Sequence, residues 1–305
     1  MKDKFHISVD ENIFLAKKLV AQSIYNSAKM EGVNTTFPET EAILGGINVP
    51  SARLDDITVI LNLRDAWRVL LDDFENIKID LEFIERLNEN VSRNESLEWG
   101  KLRSGQVGIA GTDHRPPVPD RSKTVRDIRK IVDDAINSTT EKAIKLMLYI
   151  MYNQLFWDGN KRTATLAANA VLIRGGAGVL SVADSDVVEF NRLLSEYYNS
   201  GEASKLMRFI YEKTIIDSGR KVVDENVQTN VQTNVQLKIP LNKAEIEVLE
   251  AISNNPFATA EEIAGQIGKT AKTVSRATSE LKQRGIIERI GSNKTGYWQI
   301  SPISD

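Results

Sequence analysis

The sequence predicts a mainly helical protein, interrupted once by a small β-hairpin and followed by a separate C-terminal α/β module. Three observations carry that prediction. Apolar residues recur at helical spacing over most of 11–216. One Gly- and Pro-rich segment, 104–120, breaks this texture, and Val107 and Ile109 alternate there as strand residues do. Beyond a polar repeat at 224–240, residues 241–305 restart with their own pattern of three helices and a hairpin.

Composition bounds the rest. A chain of 305 residues exceeds one average domain, so two domains are expected. Hydrophobic residues make up 41% and charged residues 27%, as in an ordinary soluble globular chain. The net charge of -3 gives no global case for a nucleic-acid or membrane partner, so any such case must be local. Absence of cysteine excludes disulfides, thiolate catalysis and cysteine zinc sites. No apolar run reaches the length of a signal peptide or a membrane span, so a cytoplasmic location is expected. The histidines are His6, to which no role is assigned, and His114.

The first helix is expected over 11–31, where Ile13, Leu15, Leu19, Val20, Ile24 and Ala28 share a face. Further helices are expected over 56–75 and 80–93, then the hairpin, then helices over 124–136 and 140–156. Another runs from about 161 to 174 and stops at Gly175-Gly176. Two more are read over 184–199 and 201–216. The Val-Gln-Thr-Asn repeat that follows is too short and polar to bury a core and reads as a spacer. In the last stretch, Ile246, Leu249 and Ile252 mark one helix, and Thr259 with Glu262 forms a capping box for the next. A third helix covers 270–284 and ends at Gly285, and two strands flank a turn at 291–294. Three helices and a hairpin in this length are the layout of a winged helix-turn-helix.

The chemistry concentrates at Asp158-Gly159-Asn160-Lys161-Arg162, between two very apolar helices. Gly159 permits a sharp turn and a close backbone approach to a ligand. Amides at the following helix start favour an anion. Lys161 and Arg162 add positive charge, and Arg grips phosphate bidentately. Asp158 offers a carboxylate for Mg²⁺, which binds through one or two carboxylates plus phosphate oxygens. A capped helix start with surface Lys and Arg is the alternative.

With Phe156, these residues resemble the signature of the Fic/Doc family, His-Pro-Phe-x-Asp/Glu-Gly-Asn-Gly/Lys-Arg-x-x-Arg. The similarity extends over about 10–216 and implies a Fic-type helical domain with a small β flap. The activity it implies is transfer of AMP from ATP to a Ser, Thr or Tyr hydroxyl of a target protein. By position, Asp158 would hold Mg²⁺, Gly159 and Asn160 would line the anion hole, with Lys161 beside them, and Arg162 would contact phosphate. ATP or another nucleotide and Mg²⁺ are the expected cofactors. Two departures matter. The motif histidine, which takes the proton from the target hydroxyl, falls on Gln154, and its proline on Leu155. A glutamine amide accepts no proton near neutral pH, and loss of a general base lowers rate by about 10²–10⁴-fold, roughly 3–5 kcal/mol of barrier. The final motif arginine falls on Thr165, and relatives of the Doc branch also carry Asn-Lys-Arg-Thr here. A pseudo-enzyme is the favoured reading, with altered chemistry as the alternative.

Two further segments acquire a meaning from the resemblance. Ser27, Glu31 and Gly32 resemble the family's inhibitory Ser/Thr-x-x-x-Glu-Gly/Asn helix motif. There the glutamate pairs with the final motif arginine, so Glu31 lacks that partner and has Arg162 as a substitute; an ordinary helix end is the alternative. The segment 104–120 corresponds to the flap, with Val107 and Ile109 as edge residues on which a target protein segment would dock by strand addition. Trp67, Trp157, Tyr197 and Tyr198 read as core or interface rather than ligand platforms.

In the last module, 269–294 carries seven basic residues against two acidic ones, a local excess that makes DNA the favoured partner. The candidate contacts are Lys272, Thr273, Arg276 and Lys282 on the recognition helix and Lys294 on the wing. Over all of 241–305 the charges balance at eight each, so a protein-interaction module is the alternative. The expected organisation is an N-terminal helical region at 1–100, a Fic core at 101–216, a linker at 217–240 and the winged helix at 241–305. The expected function is a bacterial nucleotide-binding regulator coupled to DNA, with an active protein adenylyltransferase as the alternative and a homodimer as a possible assembly.

Overall fold

A computed structural model describes residues 1–72, 74–217, 243–254, 258–283, 286–290 and 297–300. The chain divides into two compact units, Met1–Val222 and Val223–Asp305, and the stretches 1–100 and 101–216 fall together in the first. The repeat at 224–240 and the wing turn at 291–294 lie outside the described residues.

In the first unit, α1 (Val9–Met30) opens on a full capping box, with Ser8 and Glu11 each satisfying the other's backbone amide. Helix α2 (Phe37–Leu44), absent from the expected elements, has the same device in Thr36 and Glu39, plus Pro38 in its first turn. Then come α3 (Leu54–Leu71), α4 (Leu81–Val91), α5 (Arg121–Val132), α6 (Thr139–Asn153) and α7 (Asn160–Arg174), close to the expected ranges. Helix α7 is buried on every side from Arg162 to Ile173, so it forms the centre of the unit. Its Ala-rich face lets α6 approach closely, and α1, α3 and α4 also pack on α7.

A two-stranded antiparallel sheet joins β1 (Val179–Leu180) to β2 (Ile215–Ile216), with Val179 opposite Ile216. Buried Asn169 of α7 clamps it by accepting from the Leu180 amide and donating to the Leu180 carbonyl, at 2.8 and 2.9 Å. Helix α8 (Val187–Ser200) falls within one to three residues of its expected range, 184–199. The helix expected over 201–216 is shorter. It runs as α9 (Ser204–Phe209), loosens into a π-helical turn at Ile210–Thr214 and ends in β2. The β-branched run Thr214-Ile215-Ile216 suits a strand better than a helix terminus.

The segment 104–120 reverses at Gly111, which has φ 76°, but no strand ladder forms along it. Its returning arm contains Pro116, Pro117 and Pro119, which have no amide to donate to a ladder. Val107 and Ile109 are both half-buried.

The second unit contains α10 (Lys243–Asn254), α11 (Ala260–Gln266) and α12 (Ala271–Gln283), followed by β3 (Ile287–Ile290) antiparallel to β4 (Tyr297–Ile300). Val248, Ile252, Ile263, Val274, Leu281 and Ile287 form its core, and the Thr259–Glu262 capping box is present.

Candidate functional site

Helix α6 ends because Gln154 adopts a left-handed backbone, φ 44° and ψ 62°. Few non-glycine residues accept that conformation, and such positions cluster at functional sites. Five residues on, Gly159 is also left-handed, φ 71°, and starts α7 without a side-chain cap. A Cβ on Gly159 would stand 2.5 Å from Ser92 Oγ and 2.7 Å from Val91 Cγ1, so only glycine fits. The first-turn amides of α7 have no intrahelical acceptor, which leaves them for a ligand.

Asn160 closes the loop between these two points. Its Oδ1 accepts from the Phe156 amide at 3.0 Å, and its Nδ2 donates to the Phe156 carbonyl at 2.9 Å. The same Nδ2 lies 3.2 Å from Gln154 Oε1. Gln154 Nε2 donates to the Met151 carbonyl at 2.6 Å and to the Tyr198 hydroxyl at 3.3 Å. Both ends of the glutamine amide are therefore engaged. From α4, Asn88 Nδ2 and Ser92 Oγ donate to the Asp158 carbonyl at 3.0 and 3.1 Å.

A cavity of about 350 Å³ opens over this loop. Glu31, Gln154, Trp157, Asp158, Gly159, Asn160 and Lys161 line it. Ile109, Ala110 and Thr112 of the flap and Asn191, Leu194, Ser195 and Tyr198 of α8 complete the lining. Most of the expected site residues thus meet at one place, although their numbers span 31 to 161. Val107 is not among the lining residues, and neither is Arg162.

Arg162 stands behind the cavity wall, with 3% of its side chain exposed. Its NH1 donates to the Val91 carbonyl at 3.0 Å and to Glu95 Oε2 and Oε1 at 3.0 and 3.2 Å. Glu31 is a weaker neighbour of Arg162, its Oε1 standing 3.9 Å from Nε. Asp158 Oδ1 is also 3.9 Å away, from NH2. Lys161 faces the cavity; its Nζ donates to the Met30 carbonyl at 2.9 Å and lies 3.6 Å from Glu31 Oε1. Thr165 turns inward, its hydroxyl donating to the Lys161 carbonyl at 3.0 Å.

His114 does not reach the position of Gln154. Its Nε2 lies 2.8 Å from the Tyr152 carbonyl, and its ring stacks on Tyr198 with centroids 5.7 Å apart. Burial raises the Tyr198 hydroxyl's pKa, so Tyr198 is neutral at pH 7. Trp67 is core, as expected, whereas Trp157 and Tyr198 line the cavity. Asn88, Ser92, Glu95 and Arg103 were not anticipated, and no motif or spacing in the sequence marks them.

No group of three His, Asp or Glu gathers among the described residues to hold a metal unaided. Asp158 fits a shared metal better: its side chain is half exposed at the cavity rim, and a phosphate would complete the coordination.

In the second unit, Lys272, Thr273, Arg276 and Lys282 are all exposed on α12, while Val274, Ala277 and Leu281 are buried. Part of the basic excess is used inside the unit. Lys269 pairs with Glu247 of α10 at 3.0 Å, and Arg289 lies 4.9 Å over the Trp298 ring. Lys294 lies outside the described residues.

Fold and site together define a two-part protein: a helical unit built on an Asp-Gly-Asn-Lys-Arg helix start, joined to a winged helix. The Fic/DOC family model matches residues 78–172, and a winged helix-turn-helix DNA-binding model matches 241–288. The chain therefore carries a Fic/DOC-family domain and a C-terminal winged helix-turn-helix. Among named relatives, a protein adenylyltransferase Fic of Nematostella vectensis is 30% identical over 203 residues, 64% of this chain and 47% of that protein. Its counterpart in Drosophila willistoni is 25% identical over 208 residues, 65% of this chain and 41% of that one. The chain thus spans about half the length of the curated relatives it matches. A Fic family protein from Desulfovibrio desulfuricans is similar in structure at 15% identity and TM-score 0.58, the match covering 100% of this chain and 99% of that one. Fic-1 of C. elegans matches 68% of this chain and 64% of its own at 21% identity and TM-score 0.57. Among the described residues no helix is long and apolar enough to cross a membrane.

Proposed function

We propose that the helical unit binds ATP or a related nucleotide in the cavity, transfers AMP inefficiently, and acts with the winged helix as a DNA-binding regulator. One observation carries this reading: the glutamine at the position of the family's base has no proton-accepting group to offer. Its Oε1 accepts from Asn160, its Nε2 donates to Met151 and Tyr198, and an amide is not a base near pH 7. The phosphate-binding parts remain: Gly159, whose own amide donates to Asp158 Oδ1 at 2.6 Å, opens the first turn of α7, that turn supplies amides, and Lys161 supplies charge at the cavity wall. Asp158 would hold Mg²⁺, which neutralises phosphate charge when bound. Asn160 supports the site by closing the loop. Glu31, beside Lys161, competes for the cation that a phosphate would use. Exposed Lys272, Thr273, Arg276 and Lys282 support DNA as the partner of α12.

The relatives' name, protein adenylyltransferase, supports the second reading, in which a target hydroxyl is modified and the target docks along Val107 and Ile109. A label-transfer assay with α-labelled ATP and Mg²⁺ separates the two. The regulator reading expects calorimetric binding of ATP by wild type with little or no transfer, and efficient transfer once Gln154→His supplies a base. Transfer by the wild type at the rate of the His variant would overturn it, as would failure to bind any nucleotide.

A further inference from the structure

Arg103 is 1% exposed, among the largest fully buried side chains in the protein. Its bonds go to main-chain carbonyls of two separate segments. Nε donates to the Gln154 carbonyl at 2.5 Å, and NH2 to the Asn153 carbonyl at 3.2 Å. NH1 donates to the Gly105 carbonyl at 2.5 Å, and NH2 also to those of Pro116 and Pro117, at 3.1 and 2.7 Å. Its backbone amide donates to the Leu155 carbonyl at 3.0 Å. One side chain thus joins both feet of the flap to the turn at the end of α6.

We propose that Arg103 is a positioning residue that holds the flap over the cavity and sets the backbone of Gln154. The flap forms no ladder of its own, because the returning arm carries prolines at 116, 117 and 119. Carbonyls that a ladder would have satisfied point instead at Arg103. The planar guanidinium presents five N–H donors in a fixed fork, and its three nitrogens reach five carbonyl acceptors, three of them sharing NH2. A lysine ammonium is a point donor with three protons and cannot span both segments. Trp157 completes the joint: a Cβ on Gly105 would meet Trp157 Cη2 at 2.6 Å, so the flap's first arm lies directly on the indole. Through these contacts Arg103 fixes where Ile109, Ala110 and Thr112 stand in the cavity they line with Gln154. Its effect on ligand affinity rests on the nucleotide reading above; its effect on the flap does not.

The test is hydrogen–deuterium exchange by mass spectrometry on the full chain, paired with calorimetric binding of ATP·Mg²⁺. Arg103→Ala is expected to speed exchange in peptides covering 104–112 by about tenfold or more, with α1 and α3 unchanged. ATP affinity is expected to fall by about tenfold. Millimolar guanidinium is expected to restore both, an outcome that a general loss of stability would not produce. If Arg103→Ala does not fold, Arg103→Lys keeps length and charge and is expected to show the same local excess. Uniform acceleration across 9–174, or unchanged exchange at 104–112, would overturn the proposal. Wild type that fails to bind ATP removes the nucleotide reading and leaves the exchange result to decide the role of Arg103.

Discussion

Which carboxylate holds Arg162 is a question the structure answers with a measurable prediction. At an effective dielectric of about 20, charges 3.0 and 3.9 Å apart attract by roughly 5 and 4 kcal/mol, so distance alone barely separates Glu95 from Glu31. Hydrogen bonding separates them. Glu95 accepts two bonds from Arg162 NH1, whereas the buried Oε1 of Glu31 accepts none. A hydrogen bond to a charged group contributes about 1.5–3 kcal/mol net, and a buried carboxylate without one carries an uncompensated desolvation penalty. Glu95→Gln is therefore expected to destabilise by about 2–3 kcal/mol, because Arg162 is left with the Val91 carbonyl and two distant carboxylates. Glu31→Gln is expected to cost about 0–1 kcal/mol. The assay is urea unfolding of the full chain in two double-mutant cycles, each pairing one glutamate variant with Arg162→Met. Coupling of about 2 kcal/mol for Glu95 and below about 1 kcal/mol for Glu31 is expected. Equal couplings, or a larger one for Glu31, would refute the argument and return Arg162 to the inhibitory helix as its main partner.

Three other outcomes are expected. Gly159→Ala forces a left-handed backbone on a Cβ that meets Ser92 and Val91, which costs about 1–2 kcal/mol for the backbone and about 1–3 kcal/mol for the overlap; denaturation midpoint and ATP binding should fall together. Asp127 of α5 accepts from Lys123 at 2.6 Å and Tyr149 at 3.1 Å, and chiefly the Lys123 bond holds its pKa below the ordinary 3.8. Its contribution is present above that value and lost as pH falls through the lower folded value, so Asp127→Asn should flatten the acid limb of a Tm-against-pH curve. A variant that is as acid-sensitive as wild type contradicts this. On a mixed-sequence DNA duplex, Lys272→Ala and Arg276→Ala should each weaken binding and reduce the slope of log K against log salt by about 0.9; anisotropy titrations with unchanged slopes would remove α12 from the phosphate contacts.

The helices were legible because their signals are local. Apolar spacing marks α1, α3 and α4, the Ala-rich run marks α7, and Gly175-Gly176 marks its end. Even α2, which was missed, has readable marks in Thr36, Pro38 and Glu39; its length of eight residues holds too little periodicity to register. A reversal in 104–120 was legible from its Gly- and Pro-rich composition, whereas its place at Gly111 and its lack of a ladder came from the structure, the latter following from prolines whose effect depends on what else can satisfy the facing carbonyls.

For the site, the sequence alone determined the residue types that can meet a phosphate, because Asp158 to Arg162 are consecutive and a helix start exposes its amides wherever it occurs. It also determined that no base stands at position 154. Tertiary structure decided how each group is used. Asn160 became the clasp of its own loop, and Lys161 came to the cavity wall. Arg162 turned back to Glu95, 67 residues away in the chain. Arg103 joined the flap to the end of α6, and α8 brought Asn191, Ser195 and Tyr198 into the cavity that Gln154 lines. Periodicity tells a residue's face on its own helix. Which charge lies across from it depends on how buried faces of distant elements pack, and burial then forces each polar group to take whatever partner that packing supplies.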